Sequence, residues 1–145
     1  MQMKIAVIVV VAIVSLGALD SAAATDVVRE TAAIVPPEEL DGGGFGYALG
    51  ADDDWIVVGA WVFSPEWVAV YDARTLEFSH LIESPSENDM VNFGFSVDVH
   101  DGRAIVGANW DGSADFGEGA AYVFDIASGE LLREFRPADG SFFPG

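Results

Sequence analysis

Phe45-Gly46-Tyr47-Ala48-Leu49, followed by Trp55-Ile56-Val57-Val58-Gly59-Ala60, returns later in the chain as Phe93-Gly94-Phe95-Ser96-Val97 followed by Arg103-Ala104-Ile105-Val106-Gly107-Ala108. Both halves are displaced by 48 residues (93 − 45 and 107 − 59), so the copies align without a gap. A third block, Val68-Ala69-Val70-Tyr71-Asp72, returns as Ala121-Tyr122-Val123-Phe124-Asp125 at an offset of 53 (125 − 72), which places a five-residue longer loop in the second copy. Each copy closes with a mixed stretch, Glu77 to Glu83 and Glu130 to Arg136, ending near Pro85 and Pro137. A repeat of this length is a supersecondary unit that cannot hide its apolar face alone and needs neighbours to stack on.

Within each unit the pattern predicts four strands. Ala104 to Ala108 and Ala120 to Phe124 are short continuous apolar runs, which predict strands covered on both faces. Leu131-Leu132-Arg133-Glu134-Phe135 is mixed, as suits an outer strand partly in water. Gly, Asp, Asn and Pro punctuate every gap, and no segment carries a long stripe at helical spacing. The pattern runs on at both ends. Thr31 to Pro37 precedes Phe45 much as the strand ending at Pro85 precedes Phe93, and Asp139 to Gly145 reads as the approach to a third start. The expected fold is all-β, with propeller-type blades of four antiparallel strands: two blades plus flanking strands, an incomplete propeller.

These residues resemble the FG-GAP repeats, the blades of integrin-α-like β-propellers. The resemblance rests on Phe45-Gly46 and Phe93-Gly94, on Gly59-Ala60 and Gly107-Ala108, and on the third-strand run Gly119 to Phe124. It implies that these residues specify the fold and do no chemistry. The glycines permit backbone geometry or close approach that a side chain would block. Two departures matter. Calcium-binding members carry an Asp-x-Asp-x-Asp-Gly type loop between the first two strands, whereas Ala51-Asp52-Asp53-Asp54 and Val99-His100-Asp101-Gly102 are too short to wrap an ion alone. Such propellers also have about seven blades, so this chain is expected to be either a piece of a longer protein, the preferred reading, or a subunit that assembles with its own copies. A rival family, the quinone-binding propellers, uses an Asp-x-x-Thr-Gly turn and a docking Trp. Asp125 to Leu132 looks like that turn, but Phe135 stands near the Trp position and Leu76 replaces the glycine in the first copy.

Outside the repeat, Lys4 precedes an apolar run from Ile5 to Val14 that continues with small residues to Leu19, and Ala22-Ala23-Ala24 follows. That order describes a secretory signal cleaved after residue 24. A bilayer span needs about 20 apolar residues, and Asp20 interrupts the run too early. The expected organisation is signal peptide 1–24, strand and linker 25–44, first repeat 45–92, second repeat 93–140, and the start of a third at 141–145. The implied location is secreted, extracellular, cell-surface or periplasmic. The net charge is −18, and beyond residue 24 the only cations are Arg29, Arg74, Arg103, Arg133 and Arg136. Such a field repels phosphate backbones and argues against nucleic acid as a partner. With no cysteine, no disulfide framework is available.

Candidate chemistry is sparse. In the long loop of the second copy, Asn109, Asp111, Ser113 and Asp115 alternate, so their oxygens are candidate ligands for Ca²⁺. The competing account is a solvated acidic turn. Trp61, Trp67 and Trp110 are candidates for an aromatic platform or for packing between strands. The two histidines, His80 and His100, read as surface residues, Gly94-Phe95-Ser96-Val97-Asp98 lacks the second glycine of a nucleophile elbow, and zinc spacing is absent. The expectation is a non-enzymatic binding or adhesion module for a protein or carbohydrate ligand. The alternatives are a purely structural repeat, or part of a quinoprotein-like enzyme with its active site elsewhere. Open blade faces also predict self-association.

Overall fold

A computed structural model of the chain describes residues 33–36, 44–60, 66–112 and 118–137. The chain divides into two compact units, residues 1–35 and 36–145. Of the first, residues 33–35 are described, and Ile34 is buried and takes part in a single β-bridge. The expected signal peptide and third start, and most of the flanking strand, lie outside the described residues.

The second unit holds eight strands in two sheets. The first sheet comprises β1 (Phe45–Ala51), β2 (Trp55–Ala60), β3 (Trp67–Asp72) and β4 (Phe78–Glu83). The second comprises β5 (Phe93–His100), β6 (Arg103–Ala108), β7 (Ala120–Asp125) and β8 (Leu131–Phe135). Each is an antiparallel meander in sequence order, and the described residues contain no helix. The two four-stranded sheets do not close into a ring, as an incomplete propeller requires.

The copies agree in register residue by residue. Phe45 pairs with Ala60 and Phe93 with Ala108, and in both the pairing then jumps, to Ala48 with Gly59 and to Ser96 with Gly107. Two residues bulge out at each jump. Gly46 and Gly94 enter the bulge at φ 87°, a conformation that a side chain disfavours. The bulge is closed the same way in each copy: the Tyr47 N–H donates to the Gly44 carbonyl and the Phe95 N–H to the Asn92 carbonyl, both at 3.2 Å. The Phe-Gly openings and Gly-Ala closings are therefore two sides of one feature, a bulged strand start paired with the end of the next strand. A second irregularity also recurs, between Val70 and Tyr71 and between Val123 and Phe124.

The core lies between the sheets. Val57, Val68, Val70 and Ile82 of the first meet Phe93, Val99, Ala104, Val106, Ala108, Tyr122 and Phe124 of the second. Gly59 sits where this contact is tightest: a methyl built on it would overlap the Gly94 carbonyl oxygen. Phe93 lies edge-on to Phe124 with ring centres 5.9 Å apart, a favoured aromatic geometry. The opposite face of the first sheet, with Ile56, Val58, Ala69 and Tyr71, is buried as well. The second sheet differs. Its outward residues Arg103 and Ile105 are exposed and Val123 is only partly covered, so the expectation of cover on both faces of β6 and β7 is corrected to cover on one. The runs are apolar on both sides, but the described residues supply only the neighbour on the inner side.

Candidate functional site

The turns order one rim of the pair of sheets. Between β5 and β6 the link is Asp101-Gly102, at φ 49° and 69°, the two-residue turn whose twist matches a hairpin. Between β1 and β2 the Asp52 carboxylate instead accepts the N–H groups of Asp54 (3.0 Å) and Trp55 (2.8 Å). Its other oxygen accepts the Gly102 N–H across the sheets at 3.3 Å. Burial pushes the Asp52 carboxyl up, but these three N–H donors together hold it below the usual aspartate range. The two turns border a cavity lined by Asp52, Asp53, Asp54, His100, Asp101 and Gly102. Asp54 also pairs with exposed Arg74, a contact that strong solvent screening keeps weak.

At the other end two buried carboxylates tie the copies together. Glu66, just before β3, accepts the N–H groups of Val91 (3.1 Å), Asn92 (2.7 Å) and Phe93 (3.2 Å), where the second sheet begins. Burial raises its pKa, the three backbone donors offset part of that, and the charge of Asp111 adds to the rise. The Asp111 carboxylate is fully buried, and Tyr122 donates to it, as do Ser86 (2.9 Å), Asn88 (3.0 Å) and Arg136 (3.3 Å). Burial works against the charge, yet these donors hold the carboxyl below its ordinary value. Burial, and then its bond to Asp111, push the Tyr122 phenol well up.

This placement bears on the candidate ion ligands. Asn109 accepts a hydrogen bond from Asn92 at 3.1 Å, and the Asp111 oxygens face protein donors. Ser113 and Asp115 lie outside the described residues. Among the described residues no three His, Cys, Asp or Glu side chains form a group suited to a metal ion. The aromatic candidates separate: Trp67 is buried, Trp110 is exposed, and Trp61 lies outside the described residues. His100 ends β5 at the rim, exposed. His80, expected at the surface, is instead half-buried in β4, with Nδ1 against Ser79 Oγ at 3.0 Å and an enclosed Nε2 that meets no hydrogen-bonding partner among the described residues. No helix of the described residues is long and apolar enough to cross a membrane.

The sequence reading missed both carboxylate clasps. Glu66 carried a faint signal, a lone acid directly before an apolar strand, whereas Asp111 lay in plain view within an acidic loop and was read as solvated or ion-binding.

Two stacked four-stranded meanders, each opened by a bulged Phe-Gly strand, define a repeat protein of propeller-type sheets. Residues 85–124, from the linker before β5 to the end of the β7 core, match the family model described as FG-GAP repeat, and the chain carries that repeat. The first sheet reproduces its strand order and bulge. A comparison with curated proteins returns no match.

Proposed function

We infer that the chain is an exported binding or adhesion module, with the rim formed by the β1–β2 and β5–β6 turns as its binding surface. The observation that carries this reading is the acidic groove between those turns. There the hydrogen bond from Gly102 to Asp52 joins the two turns, and Asp52, Asp53, Asp54 and Asp101 line one cavity with His100. A surface of that sign selects a cationic side chain. The export part rests on the charged, apolar and small-residue order of residues 1–24.

Retention of the parent and of Asp53→Asn on immobilised basic peptides tests the groove: weaker retention of the variant supports it, and equal retention of both indicates a general charge attraction alone. Thermal melts in CaCl₂ and in NaCl of equal ionic strength report whether any stabilisation exceeds charge screening. Expression of the full chain in a secreting host, followed by mass measurement of the product, tests export: the mature chain should begin at Thr25. A second reading, a structural repeat with no ligand of its own, is favoured by one observation. Both buried carboxylates, Glu66 and Asp111, spend their oxygens on donors of this chain. Equal melts in the two salts, with no retention on arrays of immobilised glycans and basic peptides, would favour that reading.

A further inference from the structure

The main chain where the second sheet begins has the form of an anion receptor. Met90 at φ 58° and Asn92 at φ 56° flank Val91, and backbone of alternating hand turns successive N–H groups toward one point. Three of them, on Val91, Asn92 and Phe93, converge on the Glu66 carboxylate. Oε2 accepts from the first and third and Oε1 from the second, so the set fits a planar group with two oxygens better than a single spherical ion.

Glu66 does not create that shape. In the first copy Gly44 stands for Asn92 (offset 48), takes the same hand at φ 80°, and its carbonyl accepts the same bond that closes the bulge. The left-handed residue therefore belongs to the Phe-Gly start of the repeat. Contacts with the second sheet hold the stretch as well. The Val91 side chain is buried in the core, its carbonyl accepts the Trp110 N–H at 3.1 Å, and the Asn92 side chain donates to Asn109 at 3.1 Å. Donors fixed in advance bind with less loss of freedom. We propose that the N–H groups of Val91, Asn92 and Phe93 form a preformed carboxylate-binding site, of which Glu66 is the tethered ligand. The inference is independent of what the rim binds.

A free carboxylate can then take the place of the tethered one. Glu66, 7% exposed, is one wall of a cavity of about 160 Å³ that Ser84, Ser86, Asn88 and Met90 also line. Shortening the side chain at 66 opens the donors to that cavity. Glu83 and Asp89 of the same cavity, and the charge of Asp111, oppose an added anion. The affinity for a small acid is therefore weak, with a Kd on the order of 10 mM.

Urea unfolding of Glu66→Ala at one pH, in about 0.1 M sodium formate and in NaCl of the same ionic strength, tests the site, with the parent and Glu66→Gln beside it. Formate at about ten times the Kd should raise the folding equilibrium constant of Glu66→Ala roughly tenfold over NaCl. The parent and Glu66→Gln, whose sites are filled from within, should behave alike in the two salts. Should Glu66→Ala be unfolded in NaCl, recovery of the β-sheet circular dichroism in formate is the same result. Identical behaviour of Glu66→Ala in the two salts, folded or unfolded, would overturn the proposal. So would an equal gain from formate in all three chains, which is a general effect of the salt on protein surface.

Discussion

The first and second sheets are the same object in different company. Their pairings, bulges and turn positions coincide, but the central strands of the first are buried on both faces and those of the second on one. Cover is thus a property of the stack. An apolar residue in this repeat is in the core only where a neighbouring sheet stands over it. Burial of one such side chain is worth roughly 1.5–3 kcal/mol.

Matched substitutions can break that comparison. Val57→Asp should cost more than about 4 kcal/mol and prevent folding, because it buries a charge with no partner. Ile105→Asp, at the equivalent exposed position, should stay within about 0.5 kcal/mol of the parent in dilute urea titrations. Next in size is the clasp at Asp111, which ties the linker before β5 to the second sheet. Asp111→Ala should cost about 1–3 kcal/mol near neutral pH, since it leaves the buried Tyr122 hydroxyl without its acceptor, while the partly exposed Arg136 keeps Glu134. The folded-state carboxyl of Asp111 titrates below its ordinary value of 3.8. Its contribution is therefore present above that pH and is lost as pH falls through the folded value, so parent and variant should converge in acid.

Glu66 has the opposite sign. Its folded pKa is raised above 4.5, so what it contributes is complete below 4.5 and is lost as pH rises through the folded value. The parent should lose stability relative to Glu66→Gln as pH rises above 4.5, as read by denaturant midpoints. The smallest expected effect sits in the β3–β4 and β7–β8 turns. Leu76 is held at φ 60° where the other copy has Gly129 at 71°. Leu76→Gly should raise stability by about 1 kcal/mol, because a left-handed backbone strains a residue with a Cβ.

The repeat made the architecture legible. Offsets of 48 and 53 placed the four strands of each unit, and the Phe-Gly and Gly-Ala pairs marked strand ends that prove to be partners. Periodicity reports which residues are apolar, and it cannot report what stands over them, so β6 and β7 were expected to be covered on both sides. Asp111 was misjudged for a related reason. Its donors Ser86, Asn88, Tyr122 and Arg136 are 11 to 25 residues away, and only the fold brings them to one carboxylate. The rim groove was half visible, as two acidic turns, and the hydrogen bond from Gly102 to Asp52 that joins them has no local signature.

A single pair of chains, Gly59→Ala and Gly107→Ala, weighs the stacked-sheet account most directly, through urea unfolding of each at low protein concentration. Ala at 59 should cost at least 1–3 kcal/mol, since the obstacle is the Gly94 main chain, while Ala at 107 displaces only the Ser96 hydroxyl and should cost less than about 1 kcal/mol. Equal losses at both sites would mean that the sheets do not pack against each other through these residues.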